Sequence, residues 1–220
     1  MTEKKTSRRP ARRARPGRIT PAEADERRAF ILKVATEEYL AKGYSGANLN
    51  VIAGRCRVSK MTIYRLFESK EKLFYHIATA SIPEFSYDLA QALRADRPFK
   101  AVVRNVVEVM VDSTSNEVAN AILRLAVAER NRFPSIGRMI MKATFEMLAP
   151  LGKYLHASAR AGALSEDEAL RFAYHLMSMA TGGFGALTVE PQRVFGNRTV
   201  WINGVTAAFI ERFSHESARR

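Results

Sequence analysis

Two serine–lysine steps, Ser59-Lys60 and Ser69-Lys70, stand ten residues apart in the run VSKMTIYRLFESKEKLF from Val58 to Phe74. Each serine precedes a helical run and reads as an N-cap, its hydroxyl accepting from first-turn N–H groups. The lysine that follows sits at the positive end of the helix dipole, where a carboxylate is preferred. An anion docked against those N–H groups converts the local penalty into binding energy. The chemistry is therefore anion recognition, with Thr62, Tyr64 and Arg65 placed to hold or read a polyanion between the two lysines.

The charge balance agrees. Of 220 residues, 35 are Lys or Arg and 22 are Asp or Glu, for a net charge of +13. Up to Tyr75 there are 18 basic and 8 acidic residues, against 17 and 14 beyond it. A surplus concentrated in the N-terminal third points to nucleic acid or an anionic membrane surface. Residues 1–20 carry eight Lys/Arg, one Glu and two prolines, with too few large apolar side chains to fold alone. They read as a solvated arm whose Arg12, Arg13, Arg15 and Arg18 can lie along phosphates or enter a minor groove. Pro10, Pro16 and the missing apolar face argue against a membrane-surface helix there.

The elements that position these groups are helical throughout. Apolar residues recur at spacings of three and four, and no alternating strand is bounded by hairpin signals. Helices are expected over Ala22–Lys42, from the Asn48 cap to Cys56, over Ser59–Phe67, and from Ser69 to about Leu93 with a bend or interruption at Pro83. Beyond Pro98 they are expected over Phe99–Thr114, Asn116–Arg132, Ser135–Ala161, Ser165–Thr188 and Asn197–His215, with Pro150 a candidate break. Ser165 with Glu168 is a capping box that fixes one boundary. Leu49 to Phe67 has helix-turn-helix spacing: Ile52, Ala53, Ile63, Leu66 and Phe67 face each other, leaving Lys60, Met61, Thr62, Tyr64 and Arg65 outward. In such a motif the N-terminal residues of the second helix meet base edges in the major groove.

The run GYSGANLNVIAGRCRVSKMTIYRLFESKEKLF, Gly43 to Phe74, resembles the DNA-binding signature of the tetracycline-repressor (TetR) family of transcriptional regulators. Gly43-Tyr44, Ile52-Ala53, Val58-Ser59-Lys60, Thr62-Ile63-Tyr64 and Phe67 followed by SKEKLF fall in order without insertion. RLAVAERNRFPSI, Arg124 to Ile136, is similar to the ligand-domain segment of one regulator subgroup. The resemblance implies an all-α chain: the arm at 1–20, a three-helix DNA-binding domain at 21–75 and a ligand-binding and dimerisation bundle at 76–220. It also implies a homodimer on a palindromic double-stranded operator, released by a small apolar or amphipathic effector. By position, Asn48, Asn50, Arg57, Ser59, Lys60, Met61, Thr62, Tyr64 and Arg65 are expected at DNA, and Lys70 on a phosphate. Against these stand core packing for Tyr64 and plain solvated charge for Lys60 and Lys70. The chain departs from the family at Met61, at Leu66 and at Arg57, where glycine is usual in the turn; a positive φ at a non-glycine costs about 1 kcal/mol.

In the second unit, Phe133, Met141, Phe145, His175, Met179 and Phe184 are candidates for an adaptable pocket, ordinary core packing being the competing assignment. Ala180, Gly183 and Ala186, with Trp201, Val205 and Phe209, are candidates for a dimer interface on the last two helices; a helix end at Gly182-Gly183 is the alternative. Cys56 is the sole cysteine, and no metal-ligand set, phosphate loop or nucleophile motif appears. No cofactor and no enzymatic activity are expected. The start lacks the apolar stretch of a secretory signal and no run spans a membrane, so a cytoplasmic protein is expected. A basic, sequence-tolerant nucleic-acid coating protein is the rival function.

Overall fold

Thr20 precedes the first helix with a capping box: its hydroxyl accepts from the Glu23 N–H at 3.2 Å, and the Glu23 carboxylate accepts from the Thr20 N–H at 2.7 Å. In the computed structural model, residues 20–94, 97–160, 163–183 and 191–217 are described. Among them every regular element is a helix. The arm arginines, Phe184 and Ala186 lie outside the described residues. Helix α1 (Pro21–Gly46) buries Ile31, Val34, Ala35 and Tyr39, and its helical path breaks at Gly43, where φ is +69°. Then come α2 (Leu49–Arg55), α3 (Lys60–Phe67) and α4 (Lys70–Ala78), each capped by the side chain before it: Asn48, Ser59 and Ser69.

The expected long helix from Ser69 is two helices. Pro83 lacks the N–H an interior position needs, so it stands in the first turn of a separate α5 (Ile82–Ala92). Helices α6 (Phe99–Ser113), α7 (Glu117–Ala128), α8 (Pro134–Ser158) and α9 (Glu166–Ala180) follow, then α10 (Pro191–Phe195) and α11 (Arg198–Ser217). Pro150 does not divide α8. Helix α9 starts at the expected Ser165–Glu168 box but stops at Ala180, because Gly182 and Gly183 both take positive φ. A Cβ on Gly182 would lie 2.6 Å from Val194 Cγ1, so close approach of α10 also requires glycine there.

This end of α9 corrects the expected interface. Ala180, Val205 and Phe209 are 0%, 8% and 2% exposed within the single chain and belong to its larger core, leaving little of their surface for a partner. Trp201 is half-buried and donates from its indole N–H to the Ala180 carbonyl at 2.9 Å. Gly183 forms the exposed turn.

The second core does not stop at residue 75. Tyr39, Tyr44, Leu49, Ile52, Ile63, Phe67 and Phe74 are joined by Ile122 and Ala126 of α7 and Ile136 of α8. Tyr44 stacks on Tyr39 at 5.8 Å and meets Phe133 edge-on at 4.6 Å. Burial pushes the Tyr44 phenol up to about 12, with Glu71 and Glu129 adding to it. Because the units share buried side chains, Ile122→Ala is expected to cost about 2–5 kcal/mol and to lower one cooperative melt of the whole chain. Two separated transitions in calorimetry would show independent cores.

Candidate nucleic-acid interface

Four side chains around α3 decide its orientation. Ile63 and Phe67, each 1% exposed, anchor one face in the core, while Met61 is 73% and Tyr64 37% exposed on the other. Lys60 and Arg65 are also exposed, and Thr62 is half-buried. The Ser59 hydroxyl accepts from the Thr62 N–H at 3.1 Å and pairs with the Thr62 hydroxyl at 2.9 Å. The Lys60 ammonium lies 5.7 Å over the Tyr64 ring, so Tyr64 belongs to the outward face and not to the core. Lys60, Met61, Thr62, Tyr64 and Arg65 are thus gathered at one exposed end and side of a two-turn helix.

The turn between α2 and α3 keeps its glycine-type geometry without glycine. Arg57 has φ +54°. Its N–H donates to the Gly54 carbonyl at 3.1 Å, and the Val58 N–H reaches the Ala53 carbonyl at 3.0 Å. That pair of bonds is the Schellman closure, which demands a left-handed residue at this place. The Arg57 side chain remains exposed beside Ser59. Asn48 accepts from the Asn50 N–H at 2.9 Å, which holds the start of α2, and both asparagines are exposed.

Lys70, half-buried at the start of α4, is held from within the chain. Its ammonium donates to the Ala47 carbonyl at 2.7 Å and the Ser45 carbonyl at 3.3 Å, and lies 5.1 Å over the Tyr44 ring. Burial holds its pKa below the ordinary lysine range, against the attraction of Glu129 and Glu38. Two carbonyls already satisfy the charge placed at the wrong end of α4. Lys70 therefore braces the α1–α2 turn that leads into the motif. The same turn is held from behind: Ser45 donates to the Glu129 carboxylate at 3.0 Å and accepts from Arg132 at 3.2 Å. The 8%-exposed Glu38 carboxylate accepts from the Asn48 N–H at 3.2 Å. Ser45, Glu38 and Glu129 carry no signal in the sequence, because their partners lie 10 to 87 positions away.

The second site is a half-open cavity of about 1220 Å³ walled mainly by α5 to α9. Phe85, Val109, Leu123, Ile140, Met147 and Met177 give it apolar walls, while Asn105, Asn120 and Ser178 supply polar groups. Of the expected pocket residues that are described, only Met141 lines it. Phe133 packs on Tyr44, and Phe145 stacks on Tyr174 at 5.3 Å. His175 and Met179 line a separate groove of about 410 Å³ with Phe172, Ala208 and Arg212, between α9 and α11. Residue type suggested pocket candidates, but helix phase chose the lining.

Among known proteins, residues 31–77 match the family described as bacterial regulatory proteins, tetR family. Residues 101–189 match the AefR-like transcriptional repressor C-terminal domain. The chain is 33% identical over 110 residues to the HTH-type transcriptional activator FasR of Mycolicibacterium smegmatis, covering 50% of this chain and 49% of that one. It is 32% identical over 74 residues to the uncharacterized HTH-type transcriptional regulator YhgD of Bacillus subtilis, covering 34% and 39%. The chain thus spans half or less of the length of these two relatives. The solved flavonoid-responsive regulator FrrA has the same fold, with a TM-score of 0.65 and 22% identity over 86% of this chain and 95% of that one.

Two substitutions separate surface from brace. Lys70→Ala is expected to lower stability by about 1.5–3 kcal/mol, because charge-assisted bonds to two backbone carbonyls are lost. Lys60→Ala is expected to stay within about 0.5 kcal/mol of wild type. Urea unfolding of both variants checks this, and equal small effects would put Lys70 back on the surface. Arg57→Gly relieves the left-handed strain and is expected to add up to about 1 kcal/mol in the same assay.

Proposed function

The chain belongs to the tetR family of bacterial regulatory proteins, and from that membership we propose that it is a dimeric, sequence-specific DNA-binding regulator whose hold on a palindromic operator is relaxed by a small amphipathic ligand. The observation that carries the reading is the outward face of α3: a cation, a thioether, a phenol and a guanidinium exposed together, beside the half-buried Thr62 hydroxyl, on a helix anchored by Ile63 and Phe67. Inserted in a major groove, Met61, Thr62 and Tyr64 would meet base edges, while Lys60, Arg65 and Arg57 would hold phosphates. The arm arginines Arg12, Arg13, Arg15 and Arg18 would add backbone or minor-groove contacts. The match to a repressor domain favours repression over activation.

Dimerisation is assigned to the exposed side of α9 and α11. His175 and Met179 are exposed beside Gly204, Ala207 and Ala208. A Cβ on Gly204 would meet nothing within 4 Å among the described residues, so none of these accounts for a helix-interior glycine. Close approach of the same face from a second copy offsets its cost of about 1 kcal/mol. A dimer places two α3 helices on successive major grooves roughly 34–36 Å apart.

The cavity supports the effector reading, since its volume and mixed lining suit a drug-sized amphipathic molecule. FrrA, which shares the fold, is flavonoid-responsive. Ala126 and Ile140 both line the cavity and pack against the DNA-binding core, so a ligand that moves α7 and α8 moves the base of the motif. A ligand shifts DNA affinity only as far as it binds one arrangement better than the other.

In vitro selection from random duplexes is expected to return a palindrome bound about 10³-fold or more over random DNA. Binding without preference would return the coating reading. Lys60→Ala is expected to weaken all sequences alike and reduce the salt slope by about one unit, whereas Met61→Ala changes preference at one base position per half-site. Ala208→Glu is expected to yield monomer by light scattering; an unchanged dimer would move the interface elsewhere.

A further inference from the structure

Arg28 sits three residues before Ile31, the first buried position of α1, in a stretch whose charges suggest a solvated surface. The fold turns it inward. Its Nη1 donates to the Leu66 carbonyl at 2.9 Å, and its Nη2 donates to His76 Nε2 at 3.1 Å. Its Cζ lies 4.6 Å over the Phe67 ring, which His76 meets edge-on at 5.7 Å. One guanidinium therefore ties α1 to the last turn of α3 and to α4.

That last turn needs outside help. In a helix of eight residues the terminal carbonyls lack intrahelical partners and carry the negative end of the dipole. Arg28 supplies both a donor and a charge at Leu66, at the end of α3 opposite Lys60 and Met61. A guanidinium has no acceptor and keeps its proton, so His76 Nε2 must offer a lone pair and the neutral ring must carry its proton on Nδ1. A second proton on His76 would remove the acceptor and set two cations face to face. The charged groups facing His76 are Arg28 from α1, Lys72 from its own helix and Glu68 after α3, with the Tyr75 ring 5.8 Å away. Burial, Arg28 and Lys72 hold the imidazole below its ordinary range, against Glu68.

We propose that Arg28 is a positioning residue for the recognition helix and His76 its proton-sensitive latch, so that operator preference falls on acidification. The proposal rests on the DNA-binding reading and adds a regulatory input to the same interface. The sign follows from the neutral ring being the bonded form. With the folded imidazole depressed, the latch is intact above the free value near about pH 6.5 and is lost as pH falls through the folded value.

The test uses full-length protein, the selected palindrome and a random duplex of equal length, from about pH 7.5 to about pH 5.5 at fixed salt. Wild type is expected to lose about threefold or more of its operator-over-random preference across that range. His76→Gln, which keeps an acceptor for Arg28 but cannot titrate, is expected to stay flat. Arg28→Ala is expected to lose about tenfold at the upper pH, with Arg28→Lys recovering only part of it. A flat wild-type profile, an acid loss retained in His76→Gln, or an Arg28→Ala preference within about twofold of wild type overturns the proposal. If Arg28→Ala does not fold, the two His76 profiles decide. A wild type with no preference at any pH instead defeats the DNA-binding reading. The latch is then judged without DNA: the His76 ring resonance, assigned by its loss in His76→Gln, must titrate at higher pH in Arg28→Gln, which removes the neighbouring cation, and an unchanged titration overturns it.

Discussion

Eight residues make only about two helical turns, and an isolated helix of that length is not stable in water. Everything around α3 follows from that limit. Burial of Ile63 and Phe67 supplies the main attachment, at about 1.5–3 kcal/mol for each fully buried side chain. Ser59 satisfies the first turn, the left-handed Arg57 aims the chain into it, and Arg28 takes a carbonyl of the last turn. With one face and both ends occupied by the protein, the remaining face is free to hold Met61 and Tyr64 in solvent. The exposed apolar surface is tolerable because it is small and fixed.

The same dependence carries the site into the rest of the molecule. The α1–α2 turn that feeds the motif is built on Tyr44, whose ring is shared with Phe133, and on Ser45, whose hydroxyl is shared with Glu129 and Arg132. Lys70 closes that turn from the other side through two carbonyls. A polar and aromatic junction of this kind has little freedom to deform gradually, since each group would lose its partner at once. It gives α7 and α8, which wall the cavity, a direct mechanical relation to the outward groups of α3.

The glycines show how local cost marks tertiary demand. Gly182 answers to a positive φ and to the approach of Val194, so the single chain accounts for it fully. Gly204 answers to nothing among the described residues, and its exposed face beside Ala207 and Ala208 is where a second copy is proposed. Ala180 is the contrary case. A small residue that suggested an interface is instead packed at 0% exposure under Trp201.

By itself the sequence determined the helical class, the capped starts at Asn48, Ser59, Ser69 and Ser165, and the outward set Lys60, Met61, Thr62, Tyr64 and Arg65. These are local properties: periodicity and cap chemistry act within one or two turns, so a one-dimensional pattern contains them. The turn at Arg57 was left open by the sequence, and the fold gives it a left-handed φ of +54°. Tertiary structure alone decided where Lys70 and Arg28 point, that α9 stops at Ala180, and which of the methionines and phenylalanines meet a cavity. Each of these depends on an acceptor, a ring or a backbone brought from a distant segment. A long cationic side chain follows the best acceptor within its reach, and for Lys70 and Arg28 that acceptor exists only once the helices have packed.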